Sequence, residues 1–170
     1  MKIKKVLAIF FTALFCMMVT GCFPVDNIMS KVRNNAIKNK VVCEINAENA
    51  TQISYNGTNY QISNVLLERS KIGGWNGIIN KITTLDKNYC IIEEKEIDLD
   101  IVLMTKNIKE NLPKDAKFIV PFQNVCLIEN IDDKEGIAVQ INNNFYKAIP
   151  VVIGSTDKTA IKYEEEDIYE

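Results

Sequence analysis

A mostly β chain, carrying a single small domain of twisted antiparallel sheet built from hairpins, is what this sequence predicts, and three observations carry that expectation. Beyond residue 22 there are 23 isoleucines and 11 valines against 7 leucines. Branching at Cβ stiffens these side chains and suits them to a pleated surface rather than a helix. The second observation is the string Ile53-Ser54-Tyr55-Asn56-Gly57-Thr58-Asn59-Tyr60-Gln61-Ile62. Asn-Gly is the favoured pair for a two-residue type I′ turn, because both central positions need positive φ. The third is a similar pattern at Ile137-Ala138-Val139-Gln140-Ile141, Asn142-Asn143-Asn144, then Phe145-Tyr146-Lys147-Ala148-Ile149.

Ahead of that domain, residues 1–21 have the layout of a lipoprotein signal peptide. Met1-Lys2-Ile3-Lys4-Lys5 is basic, and residues 6–20 are apolar apart from two threonines and Cys16. The run is shorter than the roughly 20 apolar residues a spanning helix needs. It ends in Val19-Thr20-Gly21-Cys22, a match to the bacterial lipobox. Cleavage before Cys22 and attachment of diacylglycerol to its thiol are expected. The bilayer is therefore an expected partner, with the chain lipid-anchored on the outer face of the cytoplasmic membrane.

Residues 22–48 are expected to form the lipidated N-terminus and a basic tether. From 23 to 43, Lys31, Arg33, Lys38 and Lys40 face Asp26 alone, whereas 44–170 carries 13 basic and 21 acidic residues, a net of −8. The sign of the charge changes where a tether would meet a domain. Ile28, Met29, Val32 and Ala36 fall at helical spacing, so the tether is either an asparagine-rich spacer or a short segment lying on anionic lipid. With Cys16 removed and Cys22 acylated, Cys43, Cys90 and Cys126 remain. They have no Cys-x-x-Cys spacing, and two stand in apolar runs where a cysteine serves as a small buried hydrophobe. One disulfide among the three is the alternative.

The domain proper is expected over 49–163. In the first hairpin, pairing Tyr55 with Thr58 and Ile53 with Tyr60 puts the large apolar residues on one face, leaving Gln52, Ser54, Asn59 and Gln61 on the other. Residues 73–77, Gly-Gly-Trp-Asn-Gly, suggest a turn-rich loop, with Ile78, Ile79 and Ile82 returning to a strand. Strict alternation over 97–101 and the apolar runs 118–120 and 125–128 suggest further strands. Pro113 and Pro121 point to loops or sheet edges. A two-residue Asn-Asn turn in the late hairpin, in either register, puts Ile137, Val139, Ile141, Tyr146 and Ala148 on one face. Residues 164–170 form an acidic tail.

Histidine is absent, which removes the commonest general base and the usual triads. A pI near 5.4 argues against nucleic acid as a partner. Glu93, Glu94, Asp98 and Asp100 suggest a solvent face rather than a metal site, and the acidic run at 132–136 a turn rather than a calcium loop. No phosphate loop or nucleophile elbow occurs, so no cofactor and no catalytic residue is assigned. Trp75 between glycines suits either a contact surface or core packing.

Taken together, the lipobox, the basic spacer, the string at 53–62, the glycine and tryptophan loop, and the hairpin from Gly136 to Ala148 resemble the lantibiotic immunity lipoproteins of the nisin and subtilin type. The likeness spans about residues 51–150, with Asn-Asn-Asn where that hairpin often has an Asp-Gly-like turn. What it implies is self-protection of a cell against its own antimicrobial peptide, by binding the peptide or shielding its target. A domain of net −8 would attract such a cationic partner. Trp75, Asp132, Asp133 and Glu135 are the candidate contacts, and an immunity transporter is a possible second partner. The competing reading is an accessory lipoprotein docked on a membrane transporter or sensor. An enzyme using Asp and Glu alone comes third.

Overall fold

The computed structural model describes residues 37–97, 101–151 and 160–163. The chain divides into Met1–Lys38, of which only 37 and 38 are described, and Asn39–Glu170, which holds the sheet. The signal peptide, Cys22, most of the tether and the acidic tail lie outside the described residues.

Among the described residues of this unit are nine strands, one α-helix and a short 3-10 turn at Arg69–Lys71. In chain order the strands and the α-helix are β1 (Val41–Val42), β2 (Glu44–Ile45), β3 (Gln52–Tyr55), β4 (Thr58–Leu67), β5 (Ile72–Leu85), β6 (Ile91–Glu96), α1 (Ile101–Glu110), β7 (Phe118–Ile128), β8 (Ile137–Ile141) and β9 (Asn144–Pro150). The sheet runs β1-β5-β7-β8-β9-β4-β3-β2, with β6 also paired to β5. Its first and last strands are separated in sequence by Cys43 alone. Residues 41–45 thus pair parallel with β5 through β1 and antiparallel with β3 through β2, and the sheet returns to its starting point. Closure of this kind removes exposed edges, the standing hazard of a β-protein. These closing strands fall within 22–48, so the last residues of the expected tether are part of the sheet.

The first hairpin has the predicted register, and the late hairpin takes one of the two registers its asparagine run allows. Tyr55 pairs with Thr58 and Ile53 with Tyr60, around Asn56 at φ 50° and Gly57 at φ 74°. Ile141 pairs with Asn144 around Asn142 at φ 51° and Asn143 at φ 66°, so asparagine alone supplies the left-handed geometry there. A Cβ at Gly57 would meet no atom within 4 Å, so any cost of a substitution is conformational. Gly57→Val is expected to cost on the order of 1–3 kcal/mol, read as a lowered unfolding midpoint. An unchanged midpoint would contradict this turn geometry.

The alternating residues of these strands fill the interior. Ile53, Tyr55, Tyr60, Ile62, Phe122, Val125, Ile137 and Val139 are all nearly inaccessible and belong to one cluster. Gln61 stays on the opposite face as expected, yet it is buried, its amide donating to the Thr51 carbonyl at 2.9 Å and hydroxyl at 2.8 Å. The outer face carries two smaller clusters. One packs Ile82, Ile97 and Ile119 against Ile108, Ile101 and Met104 of α1. The other gathers Cys126, Ile128 and Ala138 with Leu67, Ile72, Trp75, Ile131 and Phe145.

Three expectations change. Of the strand expected at 97–101, Ile97 follows β6 and Ile101 begins α1 instead, while 98–100 lie outside the described residues. Ile101, Met104, Ile108 and Leu112 recur every three or four residues and bury one stripe, a period that outlasts the short alternation before it. The expected loop at 73–77 is part of the 14-residue β5, whose pairing with β7 shifts register on both sides of Trp75. Glycines suit such bulges, and Gly77 has a further reason: a Cβ there would stand 2.7 Å from the Cys43 Sγ. Pro121 lies inside β7, between β5 and β8, rather than at a sheet edge. Its carbonyl accepts from the Asn142 N–H at 3.3 Å, and the pairing with β8 starts only at Phe122. A residue's N and O share one side of a strand, so the missing N–H points where β8 has already turned away. Pro113 does lie in a loop.

Candidate functional site

The three cysteines of the domain are free thiols, so the disulfide alternative does not hold. Cys43 and Cys126 are buried, and burial pushes the Cys43 thiol up to about 12, which keeps it neutral and unreactive. Cys90 departs from the buried reading; it is half-buried, with its Sγ 3.3 Å from the Glu48 carbonyl.

Trp75 is also half-buried, and its packing accords in part with the core reading. Its indole N–H donates to the Gly77 carbonyl at 2.7 Å, and the ring lies against the outer cluster around Cys126. The Lys40 ammonium stands 4.7 Å from the ring centroid and donates to the Trp75 carbonyl. Lys40, expected as one charge of a tether, is thus the cation on the face of the lone tryptophan. Only the parallel pairing of β1 with β5 brings the two together.

The acidic run at 132–136 folds as the expected turn. The Asp132 carbonyl accepts from the Glu135 and Gly136 N–H groups at 2.9 and 3.2 Å, and its carboxylate accepts from the Lys134 N–H at 2.9 Å. That backbone bond, with a lesser one from Asp133, holds the Asp132 carboxyl below its usual range. Asp133 is half-buried, and its carbonyl accepts the Tyr60 hydroxyl at 2.8 Å. Burial raises the Tyr60 and Tyr55 hydroxyls, and the Asp133 charge adds to both shifts, while Asn76, next to Trp75, hydrogen-bonds Tyr55. Ile131, just before the turn, packs on the same outer cluster as Trp75. The turn thus lies against Tyr60 through the Asp133 carbonyl, and Ile131 before it packs on the outer cluster that also holds Trp75. Glu135 and Asp132 are exposed.

No group of three or more metal-binding side chains occurs among the described residues. Glu93 and Glu94 lie on β6 in ion pairs with Lys95 at 3.3 Å and Lys81 at 2.7 Å, in accord with a solvent face, while Asp98 and Asp100 lie outside the described residues. No helix among the described residues is long and apolar enough to cross a membrane.

These features define a class: a small closed-sheet domain with its interior filled by its own side chains. Residues 45–148, most of the closed sheet, match the lantibiotic immunity protein Spa1 C-terminal domain, and the chain belongs to that family of lantibiotic immunity proteins. The fold is similar to that of full-length NisI in a lipid-free form, the nisin immunity protein from Lactococcus lactis, at 17% identity and a TM-score of 0.50 over 66% of this chain and 48% of that one. The chain spans about half the length of that protein. The C-terminal domain of NisI, described as a lipoprotein that confers immunity against nisin, is 18% identical over 66% of this chain and 98% of its own, with a TM-score of 0.48. The lantibiotic immunity protein SpaI is 20% identical over 59% and 75%, with a TM-score of 0.40. No curated protein matches the sequence.

Proposed function

We propose that this immunity protein is a lipoprotein held by diacylglyceryl Cys22 on the outer face of the cytoplasmic membrane, where its domain captures a cationic lantibiotic before the peptide reaches the bilayer. The observation that carries the reading is the family match over residues 45–148, which covers nearly all of the closed sheet. Charge supports it: residues 44–170 carry a net of −8, enough to raise the encounter rate with a cationic peptide. The proposed contact is the acidic turn with Asp132, Asp133 and Glu135, with Trp75 as its apolar neighbour. Two of those carboxylates are exposed, and the turn is stiffened by its own backbone bonds, so little order is lost on binding.

Expression in a sensitive strain, with inhibitory concentrations measured across a panel of lantibiotics that includes nisin, tests the reading. Protection against at least one peptide is expected, with Cys22→Ala releasing the protein from the membrane fraction and reducing protection on the order of tenfold. Exchange of Asp132, Asp133 and Glu135 for lysine in a folded variant is expected to remove it. No protection across the panel would turn the assignment to an accessory lipoprotein docked on a membrane transporter.

A further inference from the structure

Among the described residues, the outer edge of β6 is a stretch where a strand edge stays open. β6 pairs with β5 on one side, from Leu85 with Ile91 to Lys81 with Glu96. On its other side the Ile91 N–H donates to the Ala47 carbonyl at 2.9 Å, and among the described residues no backbone group of β6 beyond it has a partner on that side. The Ile97 N–H turns inward to the Asn80 carbonyl. Peptide groups alternate along a strand, so those of Glu96 and Glu94 point outward. The register shift opposite Thr84 leaves Ile92 as an extra residue, and this bulge turns its side chain out to 40% exposure. Between β6 and β2 runs a cleft of about 440 Å³, walled by Glu44, Lys81, Ile92, Glu93 and Glu94 among others.

We propose that the outer edge of β6 receives an extended segment of the cationic lantibiotic as an added strand, with the peptide's apolar side chains on Ile92 and its cations on the carboxylates of the cleft. The proposal rests on the capture reading above and names a place where part of the peptide docks. Strand addition uses unpaired main-chain donors and acceptors for affinity and side-chain pockets for choice of ligand, and this edge has both. Charge selects the occupant. β6 carries three glutamates against one lysine, and Glu44 adds a fourth carboxylate across the cleft. Among the described residues Glu44 and Glu96 enter no ion pair, and the pairs of Glu93 and Glu94 are partly exposed and readily exchanged for others. A second copy of the chain would bring another acidic strand to this edge, and like charges across a strand pair repel.

The test uses the full-length lipoprotein in bilayers, with the lantibiotic against which the wild type protects cells as probe. Amide exchange at Glu94 and Glu96 is expected to slow on the order of tenfold or more on peptide addition, with Glu93 and Lys95, already bonded to β5, unchanged. Glu94→Pro removes one outward donor without touching the pairing with β5, and is expected to weaken protection on the order of tenfold, more than Glu94→Gln, which keeps the donor. If the proline variant does not fold, the exchange measurement on the wild type decides. Protection by the wild type with unslowed exchange at Glu94 and Glu96 overturns the β6 site and leaves capture standing. Absence of protection against every peptide removes capture and this site together.

Discussion

Tyr163→Ala is expected to destabilise the domain by about 3–5 kcal/mol, the range for removing a buried aromatic ring. Residues 160–163 return to the sheet after 152–159, which lie outside the described residues. Ala160 bridges Ser63, and the Ile161 N–H donates to the Ile62 carbonyl at 2.9 Å. The Tyr163 ring then enters the interior, 5.1 Å from Tyr89 and 6.3 Å from both Phe118 and Phe122, close to edge-on toward Tyr89 and Phe122. Such arrangements add to area burial. Its hydroxyl donates to the Ala50 carbonyl at 2.8 Å, and burial raises it well above the ordinary tyrosine range. Tyr163→Phe keeps the ring and orphans that carbonyl, so a smaller loss of about 1–3 kcal/mol is expected. Urea unfolding of both variants separates ring from hydroxyl. An alanine variant within about 0.5 kcal/mol of wild type would mean that 160–163 contribute nothing to the core.

Gly77→Val is expected to cost about 3 kcal/mol or more, because the space its side chain needs is already occupied. A Cβ at Gly77 would stand 2.7 Å from the Cys43 Sγ, 3.0 Å from the Val125 Cβ and 3.3 Å from the Tyr55 ring. Cys43 lies between the two strands that close the sheet, and Gly77 pairs with Val41. Relief therefore requires 41–45 to move off β5, which breaks the closure as well as the packing. Gly77→Ala adds only the Cβ, so the loss should fall in the order valine, alanine, wild type. Pairing the substitution with Cys43→Ala removes the tightest contact, and partial recovery of the unfolding midpoint is expected. No recovery would place the strain elsewhere along β5.

The hairpins were legible because a two-residue turn settles register locally. Asn56-Gly57 and Asn142-Asn143 state their own geometry, and alternation then assigns each side chain a face. The helix was less so, since Ile97 and Ile101 fit an alternating pattern and the longer period appears only when Met104, Ile108 and Leu112 are included. The glycines at 73, 74 and 77 resemble a loop until a neighbouring strand is present for them to approach. Asp132, Asp133 and Glu135 announced a turn, whereas the link from that turn to the cluster around Trp75, through Tyr55, Asn76 and Ile131, joins three separate stretches of chain. The open edge of β6 carried no local mark, since its acids on an exposed strand suit any solvent face.

Local pattern was thus enough for the fold class, both turns, the register of the first hairpin and the inward set of side chains. Each depends on spacings of two to four residues, which backbone geometry converts directly into structure. Closure of the sheet through 41–45, the Lys40–Trp75 pair, the return of Tyr163 to the interior and the open edge of β6 required the folded chain. The Lys40–Trp75 and Tyr163–Ala50 contacts join residues 35 and 113 positions apart, and such pairings follow from which strands are left unpaired once the rest of the sheet has formed.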